Sequence, residues 1–172
     1  MGVKYMKRLI NESKEIVCLL GRGVSAGSGC DIYNERYGYE IEQKYGESIE
    51  EIFTIKYYNN RPQEFFQFYM EEILKHRGKP NEAHYALSRM QEQGKLRQII
   101  TRSFFDLSSI AGCKNVIKLN GSIYENTCPK CGEKYDYTYM MREPLPLCES
   151  CGSIVAPSIL LGGELMDNMK VS

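Results

Sequence analysis

The apolar positions of this chain change their spacing from one stretch to the next. Over residues 3–14, Val3, Met6, Leu9 and Ile10 recur at helical intervals in a polar background, which predicts an amphipathic helix. Glu15-Ile16-Val17-Cys18-Leu19-Leu20 is then almost continuously apolar, the pattern of a parallel strand buried on both faces. A glycine-rich turn, Gly21 to Gly29, follows at once and leads toward a helix start. Residues 34–60 are rich in Tyr, Glu and Asn, with a helix expected around 47–56. Gln63 to Leu74 has helical periodicity with Pro62 at its start. Pro80-Asn81 opens another helix, Glu82 to Gln91, with Asn81 as its N-cap. Arg97 to Thr101 and Asn115 to Leu119 read as short strands joined by a helical turn at 106–111, and Ser158 to Leu161 as one further strand.

Strands alternating with helices predict an α/β fold. Residues 1–121 and 158–172 read as a partial Rossmann-like domain, a parallel sheet with flanking helices, and residues 122–157 as an inserted cysteine-bearing lobe. Three or four strands make a small sheet, and the chain stops at Ser172 where another crossover would begin. Such a sheet leaves apolar surface and an unpaired edge, so self-association or a partner subunit is expected to cover it.

Composition narrows the class. Hydrophobic residues at 42% and charged residues at 26% describe a folded chain, not a disordered one. Equal numbers of basic and acidic side chains, 22 each, give no electrostatic reason to expect nucleic acid or an anionic membrane as main partner. No apolar run reaches the length of a membrane span, and Met1 to Arg8 is not followed by a signal-peptide core, so a cytoplasmic protein is expected.

The seven cysteines carry the sharpest signal. Cys128-Pro129-Lys130-Cys131 and Cys148-Glu149-Ser150-Cys151 are two tight pairs, each followed by glycine, Gly132 and Gly152. Two intervening residues let both thiolates of a knuckle face one ion, and the glycine permits the turn. Redox dithiols or free thiols are the alternative; the paired spacing with glycines favours a closed, structural four-cysteine zinc ribbon. Cys18 and Cys113 read as small core or turn residues, and Cys30, just past the glycine turn, as a buried side chain.

Gly21-x-Gly23-x-x-Ala26 fits the dinucleotide fingerprint, in which a pyrophosphate approaches bare backbone at a helix start. Gly21, Gly23, Ser25, Ala26 and Ser28 are the candidate contacts for NAD or ADP-ribose, and a ligand-free strand-to-helix turn is the competing reading. Arg22 would either bind a phosphate or fill its space.

Taken together the motifs resemble the sirtuins, the NAD-dependent protein lysine deacylases. Gly21 to Gly29 is similar to the family's Gly-Ala-Gly-x-Ser-x-x-Ser-Gly loop, and Pro80 to Leu87 to its Pro-Asn-x-x-His-x-x-Leu helix. Asn115 to Ser122 resembles its strand ending in His-Gly, the zinc ribbon follows as it does in the family, and Pro157 to Glu164 resembles the segment that lies along the acyl-lysine peptide. The departures fall on the chemistry. The resemblance implies a histidine general base acting on a ribose hydroxyl; Asn120 stands there, and a carboxamide does not titrate near neutrality. The family's Thr-Gln-Asn-x-Asp reads Thr101-Arg102-Ser103-Phe104-Phe105, with an apolar ring in place of the carboxylate. The Ile-Pro-Asp-Phe-Arg stretch reads Cys30-Asp31-Ile32-Tyr33-Asn34, where Asp31 would serve only after a one-residue shift, and the half carrying Gly-Thr-Ser is absent. A truncated, degenerate member is therefore expected: a zinc-stabilised binding or assembly module, a pseudoenzyme candidate. An active deacylase or ADP-ribosyl-transferring enzyme, completed by a partner chain or by Asp106 in a shifted register, is the alternative, with an acyl-lysine peptide as partner. A nucleic-acid-binding ribbon using Lys130, Lys134 and Arg142 ranks last, because the net charge is zero.

Overall fold

Three short apolar runs set the frame: β1 (Ile16–Leu20), β2 (Leu96–Thr101) and β3 (Val116–Lys118) form a parallel sheet in the order β1-β2-β3. The computed structural model describes residues 2–30, 32 and 35–164. Asp31, the residue considered for a shifted register, lies outside the described residues, as do positions 165–172 at the end of the 158–172 segment. Leu96 and Ile99 of the central strand are buried, and Ile16, Cys18 and Leu20 of β1 pack with them against Leu87 and Met90 of α7 (Glu82–Glu92) and against Cys113. The other face of β1 departs from expectation. It is open, with Val17 53% and Leu19 74% exposed, because the described residues cover only the face that carries Ile16, Cys18 and Leu20. The predicted N-terminal helix is present as α1 (Val3–Glu12), but Val3, Met6 and Leu9 on its apolar stripe are exposed too.

A helical layer follows the glycine turn and its short helix α2 (Arg22–Ala26). The helix expected at 47–56 is two helices, α4 (Ile49–Ile52) and α5 (Ile55–Asn60). Ser48 caps the first and Thr54 the second, and Phe53 between them is buried. Predicted helix 63–74 is α6 (Pro62–Phe68) running into a π-helical segment, Tyr69–Leu74. Phe65, Phe66, Phe68 and Tyr69 from these turns build the main core with Phe53, Phe104 and Phe105.

No helix is predicted from the sequence over α3 (Glu35–Tyr45), which packs Ile41 into the main core between Tyr37 and Tyr45 and is tied down by polar tertiary bonds. Lys44 Nζ donates to Glu71 at 2.7 Å and to Glu72 at 2.8 Å, and the Tyr45 hydroxyl donates to the same two carboxylates at 2.9 and 2.8 Å. The Tyr37 hydroxyl donates to the other oxygen of Glu72. Lys44, then Tyr45, holds the Glu71 carboxyl below its ordinary value. Burial pushes Glu72 up, but its bonds from Lys44, Tyr37 and Tyr45 outweigh that and leave it lowered as well. A carboxyl lowered in the folded state stabilises above its unfolded pKa, and the contribution is lost as pH falls through the folded value. Urea midpoints should therefore hold steady from neutrality to about pH 5 and fall increasingly below it. A flat profile down to about pH 3 would show that this cluster does not secure α3.

Beyond α8 (Leu107–Ile110), the cysteine-bearing lobe has its own antiparallel sheet, β5-β4-β6: β4 (Gly121–Thr127), β5 (Lys134–Tyr135) and β6 (Ala156–Ile159), with α9 (Tyr137–Met140) alongside. The strand expected near 158–161 is thus present, but it pairs antiparallel with β4 and does not extend the parallel sheet. Met140, Val155 and Ile123 of this lobe join the same continuous core as the aromatic helices. No helix of the described residues is long and apolar enough to cross a membrane.

Candidate functional site

The C-terminal ends of β1 and β2 open onto a cavity of about 320 Å³. Its walls are Gly21, Arg22, Ser25, Cys30, Ile32, Arg102, Ser103, Phe104, Phe105 and Asn120. Gly21 caps α2 with φ −86°, a conformation open to any residue, and a Cβ at either Gly21 or Gly23 would meet nothing within 4 Å. The small residues here are not required by internal packing; they leave the backbone bare, which is the property a pyrophosphate needs. The turn itself is braced from below. Buried Ser25 donates to Ser103 at 2.8 Å, tying α2 to the segment that follows β2, and the Asn81 amide donates to the Val24 carbonyl at 2.9 Å. Asn81 also caps α7, and its backbone N–H donates to Nδ1 of His84 at 3.1 Å. His84 is buried, with its pKa lowered by burial, so it serves as a capping group.

Of the nucleotide candidates, Gly21 and Ser25 line this cavity, while Gly23 and Ala26 lie on α2. Ser28 faces a separate, shallower concavity beside Lys75, Arg77 and Lys79, where its hydroxyl is buried without a partner among the described residues. Asn120 lines the cavity, placed by its carbonyl, which accepts from Leu160 N–H at 3.0 Å. Phe105 lines it as well and is fixed by the core: it lies 4.7 Å from Phe104, which stacks on Phe53 at 5.7 Å. Asp106 does not line it. Its carboxylate pairs with Lys118 at 2.9 Å and accepts from the Ser122 hydroxyl at 3.4 Å, and its backbone is left-handed, with φ 55°. Cys30 and Ile32 are wall residues that sequence reasoning did not assign to the site. Their signal was the Cys30 to Asn34 stretch, which stands against the family's Ile-Pro-Asp-Phe-Arg, and burial pushes the Cys30 thiol up to about 11, away from thiolate chemistry.

The four ribbon cysteines converge, with all four Sγ atoms within 4.8 Å of one another. Cys128 and Cys151 are 3.5 Å apart, and so are Cys131 and Cys148. Bonds of about 2.3 Å to a tetrahedral zinc put sulfurs about 3.8 Å apart, so the set fits that ion and completes its coordination. The two knuckles share one geometry: Gly132 N–H donates to Cys128 O at 2.9 Å and Gly152 N–H to Cys148 O at 2.8 Å, with φ +78° and +71°. The Tyr135 hydroxyl donates to Cys148 Sγ at 3.2 Å and accepts from Glu149 N–H at 2.9 Å. The Tyr135 bond leads the causes that bring the Cys148 thiol down to about 6.

Comparison with known proteins agrees with this architecture. The sequence profile of the Sir2 family matches residues 21–172. The chain is 35% identical over 169 residues to an NAD-dependent protein deacetylase of Clostridium acetobutylicum, covering 96% of this chain and 69% of that protein. A solved structure from work on the structural basis of sirtuin substrate affinity superposes with a TM-score of 0.86 at 33% identity, covering 99% of this chain and 70% of that one. A Sir2 structure with a p53 peptide and NAD+ gives a TM-score of 0.81 at 30% identity, covering 99% and 69%. With a family match over most of its length, and with the sheet, the glycine turn and the four-cysteine lobe in the same order, this chain belongs to the Sir2 family.

Proposed function

We propose that this Sir2-family chain is a zinc-stabilised nucleotide-binding module without ordinary deacylase turnover. The observation that carries the reading is the wall of the cavity: Asn120 and Phe105 both line it, where the family resemblance calls for a histidine base and a carboxylate. NAD, where bound, would supply an electrophilic ribose carbon; among the described residues lining the cavity there is no histidine and no carboxylate to take a proton from a ribose hydroxyl. Gly21 and Ser25 would hold the diphosphate side, and Cys128, Cys131, Cys148 and Cys151 would hold the structural zinc. The open faces of β1 and α1 support a partner subunit or second copy as cover, and the Pro157 to Glu164 segment remains the place for an acyl-lysine peptide.

The second reading is an active NAD-dependent protein deacetylase, and the names of the relatives favour it. It requires a base. Asp106, the rescue candidate, is committed to Lys118 and lies off the cavity wall, which weighs against it.

The two readings part on nicotinamide release from NAD in the presence of an acetyl-lysine peptide, followed by chromatography. The expected result is no turnover above the protein-free blank. Asn120→His alone should not restore it, because Ser103 and Phe105 remain. Sustained, peptide-dependent release by the unmodified chain would establish the second reading instead.

A further inference from the structure

The glycine turn borders two hollows. Gly21 and Ser25 line the nucleotide cavity, whereas Gly27 and Ser28 line a second concavity of about 770 Å³ together with Lys75, Arg77 and Lys79. The chain as a whole is neutral, so three basic side chains at alternate positions of one short loop are a local concentration of charge. None of the three is in an ion pair among the described residues. Lys75 also senses Glu71, whose carboxylate is held by Lys44 and Tyr45. The loop is fixed in place. Gly78, with φ +63°, lies so close to the turn that a Cβ there would be 2.4 Å from both Ser28 O and Cys30 Sγ. Arg77 donates from Nη1 to the Leu74 carbonyl at 2.8 Å and rests its guanidinium 4.6 Å from the centre of the Tyr137 ring. The Asn81 bond to Val24 O holds the far side of the loop to the same turn.

Within this basic frame the Ser28 hydroxyl is buried without a partner among the described residues. An unpaired buried hydroxyl costs free energy that an oxygen of a ligand seated here would recover. Arg77 spends one of its five N–H donors on Leu74, which leaves the rest of the fork for an oxyanion. α7 begins at the same rim, with Pro80 and Asn81. Its first amides are taken by the Asn81 side chain, so it adds the positive end of its dipole but no donors. Three cations and a hydroxyl match a dianion with several terminal oxygens better than a single carboxylate. We propose that this concavity is a phosphate site, separate from the nucleotide cavity, which takes inorganic phosphate or a phosphomonoester. It gives Ser28, grouped by its motif with the nucleotide contacts, a ligand of its own. It stands whether or not the first cavity binds a nucleotide.

Titration of the nitrogen-15-labelled, zinc-loaded full chain with inorganic phosphate and with O-phosphoserine, followed by amide chemical shifts, tests it. At low salt the amides of Gly27, Ser28, Gly78 and Lys79 should shift together and saturate with a Kd on the order of 1 mM. Affinity should fall as sodium chloride is raised, because Lys75 and Lys79 are solvent-exposed. Equal affinity for the two probes would name the free ion as ligand, and tighter binding of the ester a phosphorylated molecule; either result sustains the site. Lys75→Gln and Lys79→Gln should each weaken phosphate about threefold, and Arg77→Gln about tenfold. Ser28→Ala should weaken it too while leaving the thermal midpoint in place, since that hydroxyl makes no bond within the described residues. Zinc content and a dispersed amide spectrum confirm that each variant folds. Shifts confined to Gly21 and Ser25 would put the phosphate in the nucleotide cavity and overturn the proposal. Non-saturating shifts that chloride reproduces at equal ionic strength, or one Kd shared by the unmodified chain and all four variants, would overturn it as well.

Discussion

Stripping zinc from the four-cysteine centre is expected to lower the thermal midpoint by more than about 10 °C and to dissolve the β5-β4-β6 lobe. Two of the ligands, Cys128 and Cys148, are buried, and the lobe's regular structure is small: β5 has two residues and α9 has four. A lobe of that size has little apolar core of its own, so the ion must substitute for it. Structural zinc in comparable sites contributes on the order of 10 kcal/mol at neutral pH. If only about 5 kcal/mol of that reaches global stability, a domain of this length loses roughly 10–20 °C.

The loss should not stay local. Ile123, Met140 and Val155 belong to the same core as Phe65 and Phe66, and the Tyr137 ring seats Arg77 at 4.6 Å. Chelation should therefore also loosen the aromatic helical layer. Scanning calorimetry with and without chelator, near-ultraviolet circular dichroism of Tyr135 and Tyr139, and a parallel metal assay are the measurements. Cys148→Ser should reproduce the chelated state, since it removes both a ligand and the acceptor of the Tyr135 bond. An unchanged midpoint after complete metal removal would show that the four thiols are not a structural centre.

The zinc lobe was legible because its signal is local: two cysteine pairs and two glycines specify the knuckles without reference to the rest of the chain. The parallel strands were legible for the same reason, each being a short apolar run. What escaped depends on distant partners. α3 presents only one aliphatic residue to the core, Ile41, flanked by Tyr37 and Tyr45, and those two tyrosines and Lys44 bond to Glu71 and Glu72, far along the chain. The break at Phe53–Thr54 reflects a distant contact as well, since Ile55 N–H donates to Gly162 O and Gly162 N–H to Phe53 O. A strand pattern at Ser158 carries no information about its partner, and β6 joins β4 through the register Gly121↔Ile159. Burial on both faces of β1 was inferred from its unbroken apolar run, which cannot say that one side of the sheet lacks a covering layer among the described residues. In the cavity, Asn120, Arg102 and Phe105 were recognisable by motif, whereas Cys30 and Ile32 belong to a stretch that departs from the family's pattern and so were not picked as site residues.

Gly121→Ala is expected to be the most damaging single methyl group that can be added near the cavity. Gly121 has φ +76°, where a side chain alone costs about 1 kcal/mol. Its added Cβ would lie 1.9 Å from Ser158 O, 2.9 Å from Ser158 C and 3.2 Å from Ile159 Cα. All three atoms are backbone, so no rotamer change relieves the clash, and β6 has to move away from β4. Overpacking of this kind adds about 1–3 kcal/mol, for a total near 2–4 kcal/mol. Urea or thermal denaturation should record that loss, and nucleotide affinity should fall with it. The adjacent Asn120 carbonyl holds Leu160, and Phe104 O accepts from Ile123 N–H, so a displaced β4–β6 pair takes the cavity wall with it. Gly132→Ala and Gly152→Ala supply the comparison. Those glycines have nearly the same φ, +78° and +71°, but a Cβ there meets nothing within 4 Å. They should cost only the backbone strain of about 1 kcal/mol, so the difference between Gly121→Ala and either of them isolates the close approach of β6. Equal losses at the three positions would mean that β6 yields freely at Ser158, and that the wall holding Asn120 is less rigid than its hydrogen bonds imply.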